Sequence, residues 1–183
     1  MSADNTTQLV LALLAFALAA AALGWTRSGR AVWPPVSAAA LAAAAVVAAV
    51  SDQVSSGRVE LTLLVTLAGL LAVVGGGPLT TRVFAVVDRG QPARDSVSDA
   101  EVFLKGGAWI GALERLAVFA GLAAGFPEGV AVVLALKGVG RFPDLRHAEG
   151  ASGGATTERF IIGTFTSVLW AAGCAGMVAL VHR

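Results

Sequence analysis

The chain has 183 residues, of which 56% are hydrophobic and only 14% charged, with a formal net charge of +1. A soluble domain carries about 25% charged residues, so this composition lacks the polar shell of a soluble core and points to an all-α, polytopic transmembrane bundle. The mean hydropathy of +0.77 agrees. The near-zero net charge says nothing about partners, because the placement of the charges carries the information instead.

The N-terminal "MSADNTTQ" has no basic residue ahead of its apolar run. A cleaved secretory signal needs a positive n-region, so the first run is expected to stay as a span. Apolar runs follow at about 8–25, 33–50, 60–77, 106–125, 128–140 and 160–181. Crossing a bilayer takes roughly 20 apolar residues. Five runs meet this, and the fifth is short unless it extends through Arg141 and Phe142 or starts at Phe126. "GFPE" supplies Gly, Pro and a polar residue for a tight turn between the fourth and fifth runs. About six spans are therefore expected.

Charge placement orients them. With the N-terminus outside, the inner segments hold Arg27, Arg30, Arg82, Arg89, Arg94, Lys105, Lys137, Arg141, Arg146 and Arg159, ten of the thirteen basic residues. Only Arg58 and Arg183 fall outside, and Arg115 lies within the fourth run. The positive-inside rule counts such bases in short loops. It favours six spans with both termini outside.

The whole chain, 1–183, reads as a single membrane domain. Residues 8–88 form an apolar three-helix half, 89–104 a cytoplasmic linker, and 105–183 a charged three-helix half. No sequence repeat relates the halves. "DLRHAEGASGGATTE", 144–158, reads as a flexible loop. The first half is chemically silent, with Ala-rich spans suited to close packing. Its one unusual stretch is "GGGPLTTR", 75–82. It is expected to act as a hinge that weakens or ends the third helix, after which the chain runs along the membrane or continues as a kinked helix. It lacks the Lys-Ser/Thr ending of a phosphate loop.

Charges inside spans are costly and usually face a bundle interior or a wet cavity. Glu114 lies about eight residues into the fourth span, roughly 12 Å deep. Arg115 follows it but points about 100° away. Lys137 and Arg141 are one turn apart on one face of the fifth span. Glu158 and Arg159 stand at the cytoplasmic mouth of the sixth, with Thr164 and Ser167 deeper and three apart. These groups belong to one leaflet and are expected to meet in a pocket opening inward. Glu114 and Glu158 are the candidate catalytic acids. Arg115, Lys137, Arg141, Thr164 and Ser167 are the candidate substrate-binding groups. The competing structural reading makes Glu114 a counter-ion of Lys137 or Arg141.

"IGALERLAVFAG", "LALKGVGRFPDLR" and "ERFIIGTFTSVLWA" resemble small bacterial integral membrane proteins that share I-G-x-L-E-R, A-K-x-x-x-R-F and E-x-F-x-I-G-T-x-x-S. Glu114, Arg115, Lys137, Arg141, Phe142, Glu158, Gly163, Thr164 and Ser167 fall on that pattern, which covers roughly residues 107–170. Here Leu136 separates Ala135 from Lys137, where the pattern has them adjacent. The resemblance implies that these residues act as a unit and implies no particular reaction.

The functional expectation is a membrane-embedded enzyme using acid/base chemistry on a lipid-soluble, isoprenoid-like substrate, such as a terpenoid cyclase or isomerase. A burial-raised carboxyl pKa would supply its proton. The alternatives are a small anion or solute transporter, and a non-catalytic subunit packed on a membrane-protein partner or a second copy of itself. The Asp-rich motifs of terpene synthases and membrane prenyltransferases are absent. A closed apolar cavity over Glu114 would favour the enzyme, a polar path to the outer face the transporter, and a flat small-residue face the subunit. Expected partners are the lipid bilayer and a lipophilic small molecule. No cofactor, metal or nucleic acid is expected, as no motif for one stands out. His147 and His182 lie in a loop and at the terminus. The lone Cys174 reads as a packing residue that cannot form a disulfide within the chain.

Overall fold

A computed structural model describes the backbone of residues 3–51, 57–88, 96–147 and 153–181, and the side chains of these apart from 3–4, 96–106, 141–147 and 153–156. Six helices follow one another: α1 (Ala3–Leu23), α2 (Trp33–Val50), α3 (Arg58–Val87), α4 (Ser96–Ala123), α5 (Glu128–His147) and α6 (Gly153–Val181). By length and composition, α1, α2, α3 and α6 are apolar enough to cross a membrane. The chain is an all-α helical bundle of multi-pass membrane character.

Each helix end has a local cause. Pro34 sits in the first turn of α2, where its missing N–H does no harm. Glu60 lies in the first turn of α3, where a negative charge suits the helix dipole. At the end of α4, Gly125 takes φ +74°. Its N–H donates to the Leu122 carbonyl, and the Phe126 N–H reaches back to the Gly121 carbonyl at 2.8 Å. That is a Schellman cap, whose left-handed position favours glycine, and Pro127 then leads into α5. The expected tight "GFPE" turn takes this form.

Several helices outrun the apolar runs. α4 begins at Ser96, inside the stretch read as a linker, and residues 89–95 lie outside the described backbone. The loop expected at 144–158 is largely helical: it completes α5 through His147 and begins α6 at Gly153, with 148–152 outside the described residues. An apolar run marks the part of a helix that suits lipid, and the helix itself continues past it.

The core is built on steps of three and four. Thr7, Val10, Leu14, Ala17 and Ala21 of α1 are buried, as are Ser37, Leu41, Ala44 and Ala48 of α2 and Thr164, Ser167, Ala171, Cys174 and Val178 of α6. This spacing gives the seam of nearly aligned helices. The many alanines on it let backbones approach closely. Ser37 Oγ donates to the Ala17 carbonyl at 2.8 Å and ties α1 to α2. α3 and α6 are central, with α1, α2 and α4 packed around them. α5 leans on α4 and barely touches α6. None of its residues from Glu128 to Gly140 is buried.

The glycine run does not end α3. The helix passes through Gly75, Gly76, Gly77 and Pro78 and continues to Val87. The helix end expected here does not occur, and the glycines are filled from outside. A Cβ on Gly75 would stand 2.6 Å from Trp170 Cζ2, one on Gly76 2.8 Å from Arg115 Nε, and one on Gly77 2.9 Å from Trp25 Cζ2. Three consecutive glycines are thus notches for three large side chains from three other parts of the chain.

Candidate functional site

Glu114 and Arg115 are neighbours on α4, and the helical step of about 100° sends them to different partners. Glu114 turns to α5 and forms an ion pair with Lys137. Arg115 turns into the bundle and is 7% exposed. Its Nε donates to the Val73 carbonyl of α3 at 3.1 Å, and its Nη1 to Ser167 Oγ of α6 at 3.4 Å. The notch at Gly76 is what lets its aliphatic stem pass.

The same stretch of α3 receives two tryptophans. Trp170 Nε1 donates to the Leu71 carbonyl at 3.0 Å, and Trp25 Nε1 to the Val74 carbonyl at 3.0 Å. The second bond answers a deficit. Pro78 lies inside α3 and has no N–H to give to the carbonyl four residues back, so the indole of Trp25 supplies it. Thr80 and Thr81 back-bond to the carbonyls of Gly76 and Gly77. These keys were not read from the sequence. A triple glycine with a proline inside a long apolar run, with tryptophans elsewhere to supply donors, is the signal that was there.

A small cleft opens where α4, α5 and α6 meet. Its polar side is Glu114, Arg115, Lys137 and Ser167, and its apolar side is Val118, Val133, Leu134 and Val168. Its cavity volume is about 10 Å³, room for roughly one water. Four of the expected site residues therefore meet. Glu158 is exposed on α6 and does not line the cleft. Its neighbour Arg159 pairs with Asp88 at 2.8 Å and lies 6.0 Å from the centre of the Phe84 ring, tying the C-terminal end of α3 to the N-terminal part of α6. Thr164 is buried one turn before Ser167, outside the cleft lining, and its hydroxyl has no hydrogen-bond partner. The side chain of Arg141 lies outside the described residues. Among the described residues, no cluster of three or more His, Cys, Asp or Glu is placed to hold a metal ion.

Comparison with protein-family models, curated proteins and solved structures finds no match to this chain.

Proposed function

We propose that this chain is a multi-pass membrane enzyme that acts on a lipid-soluble, isoprenoid-like substrate by acid/base chemistry at the Glu114–Lys137 pair, as in a terpenoid cyclase or isomerase. The observation that carries the reading is the two-sided lining of the cleft. A carboxylate, an ammonium, a guanidinium and a hydroxyl face four aliphatic side chains across one small space. Such a lining suits a molecule with a reactive polar end and an apolar body. A proton held between a carboxylate and an amine in contact is available to a substrate set against either group, and positioned acid/base groups contribute typically 10²–10⁴-fold to rate.

A prenyl chain is far larger than a one-water cleft. The wall proposed to yield is α5, which buries none of its residues from Glu128 to Gly140 and joins α4 through the Gly125–Pro127 turn. Glu158, exposed at the inner end of α6, serves as a second proton carrier between cleft and cytoplasm. The topology that goes with this reading has six spans, both termini outside, in a bacterial inner membrane. In support, α4 has 28 residues and α5 has 20, about 42 and 30 Å at 1.5 Å per residue, against a hydrocarbon core of about 30 Å.

Total lipid extracts from cells with and without the protein test the activity. Loss of one lipid-soluble species together with build-up of its precursor is the expected result. Identical extracts under expression of a stable, membrane-inserted protein overturn it.

A further inference from the structure

The charges around the cleft do not balance. Glu114 is one anion, and Lys137 and Arg115 are two cations. The carboxylate of Glu114 is in contact with Lys137. Among the described residues Arg115 contacts no carboxylate: its acceptors are the Val73 carbonyl and the Ser167 hydroxyl, both neutral. Yet Arg115 is 7% exposed, and a guanidinium stays charged. An unpaired buried charge is expensive, and inside a membrane such residues normally pair or line a pathway for substrate or ions.

We infer that the cleft takes the anionic head of its lipophilic substrate, a phosphate or carboxylate set between Arg115, Lys137 and Ser167. This rests on the reading that the substrate is lipid-soluble, and it adds the chemistry of the head. A guanidinium offers five N–H donors in a fixed fork. Two of them are used on α3 and α6, and the residue still lines the cleft. Lys137 is half committed to Glu114 and has further protons to give. The Ser167 hydroxyl accepts from Arg115 and keeps its own proton for an incoming oxygen. One negative charge is what the cleft lacks, and an anionic head supplies it. The apolar wall of Val118, Val133, Leu134 and Val168 then receives the first carbons of the chain as α5 moves outward.

The test is binding to the purified full-length chain in phosphatidylcholine nanodiscs, with empty nanodiscs as the blank. Three probes are used: geranylgeranyl phosphate, geranylgeraniol and inorganic phosphate. The expected order puts geranylgeranyl phosphate at least about tenfold tighter than the alcohol, the size of a single charge-assisted hydrogen bond, with inorganic phosphate weakest. Two variants move this preference in opposite directions. Glu114→Gln leaves two uncompensated cations and tightens the phosphate-headed probe. Lys137→Met leaves a balanced site and brings phosphate and alcohol near parity. A general structural defect weakens binding in both, and the wild-type probe order carries the inference if either variant fails to fold. Equal affinity for alcohol and phosphate, or a shift in the same direction in both variants, overturns the anionic head and leaves the lipid-soluble substrate standing. Inorganic phosphate binding as tightly as geranylgeranyl phosphate keeps the anion and overturns the lipid-soluble substrate. Binding of neither prenyl probe overturns both.

Discussion

Gly76→Ala is a one-carbon change aimed at the joint between α3, α4 and α6. The new Cβ would stand 2.8 Å from Arg115 Nε, with Cδ inside contact distance as well. Ordinary carbon contacts lie at about 3.5–4.0 Å, so the Arg115 side chain must retreat by roughly 1 Å. The atoms that clash belong to the middle of the side chain, whose tip is fixed on Val73 and Ser167, so a flexible end cannot absorb the change. A hydrogen bond to a charged group is worth about 1.5–3 kcal/mol. Overpacking a well-filled site costs about 1–3 kcal/mol. Alanine returns up to about 1 kcal/mol of helix propensity over glycine. If one of the two bonds is lost, the net destabilisation is about 2–5 kcal/mol.

The assay is the thermal midpoint of the monodisperse fraction in detergent. For a chain of this length about 1 kcal/mol corresponds to about 2–4 °C, so the midpoint should fall by roughly 5–15 °C. Gly138→Ala is the control, because a Cβ there meets nothing within 4 Å, and its expected effect is nil to mildly stabilising. In an Arg115→Ala background the clash no longer exists, so Gly76→Ala should add almost nothing, and that non-additivity reports direct contact. A Gly76→Ala protein as stable as wild type, or an equal loss with and without Arg115, would refute the notch.

Three further outcomes follow from the same geometry. Trp25→Phe removes the donor to the Val74 carbonyl and should cost about 1 kcal/mol, with Pro78→Ala in the same chain recovering it by restoring an N–H; no recovery would mean that Trp25 acts only through packing. Glu114→Gln should lower turnover of the lipid-soluble substrate by about 10²–10⁴-fold at normal membrane abundance. If abundance falls with activity and Lys137→Met in the same chain restores it, the pair is scaffold, since removing one partner leaves the other charge uncompensated. In a Cys174→Ala chain, single cysteines at Ser96 and Ser152 should react only with reagent reaching the cytoplasm and one at Ser55 only from outside; labelling of Ser96 and Ser55 from the same side would end the six-span topology.

Composition alone carried the bundle, because a chain so short of charge has nothing with which to coat a soluble core. α2 was legible to both ends, since "AVWPP" opens it and Ser51 closes it. The other helices were under-read because hydropathy marks lipid-facing length, whereas helix length in water depends on anchors such as Arg159 on Asp88. The divergence of Glu114 and Arg115 was legible in the helical step, and Lys137 was among the partners it allowed. Glu158 stands apart from the cleft lining for a reason also present in the sequence. Steps of three and four back from Thr164, Ser167 and Ala171 pass through half-buried Phe160 to exposed Thr157, and Glu158 lies off that line. The seat of Arg115 was not legible, because glycine propensity is a local property and the filling of a notch is a tertiary one. A chain with no Arg115, Trp25 or Trp170 to fill it would present the same "GGGP" as a weak point.

The division into a silent half and a charged half therefore describes the residues and not the work they do. α3 carries no charge between Glu60 and Arg82, yet its carbonyls and glycines hold the buried guanidinium of Arg115 in place. Glu114 and Arg115 then have opposite mechanical settings although they are adjacent. Arg115 is pinned to the central helices, and Glu114 is tied to α5, which buries nothing between Glu128 and Gly140. The cleft has one wall of buried contacts, which holds the cation, and one wall of exposed and half-buried side chains, which holds the ion pair. On the proposed function, a substrate that separates Lys137 from Glu114 would release that wall while Arg115 stays where α3 and α6 hold it. Substitutions along α3 should for that reason change how tightly a head group is held, and substitutions along α5 how readily it enters.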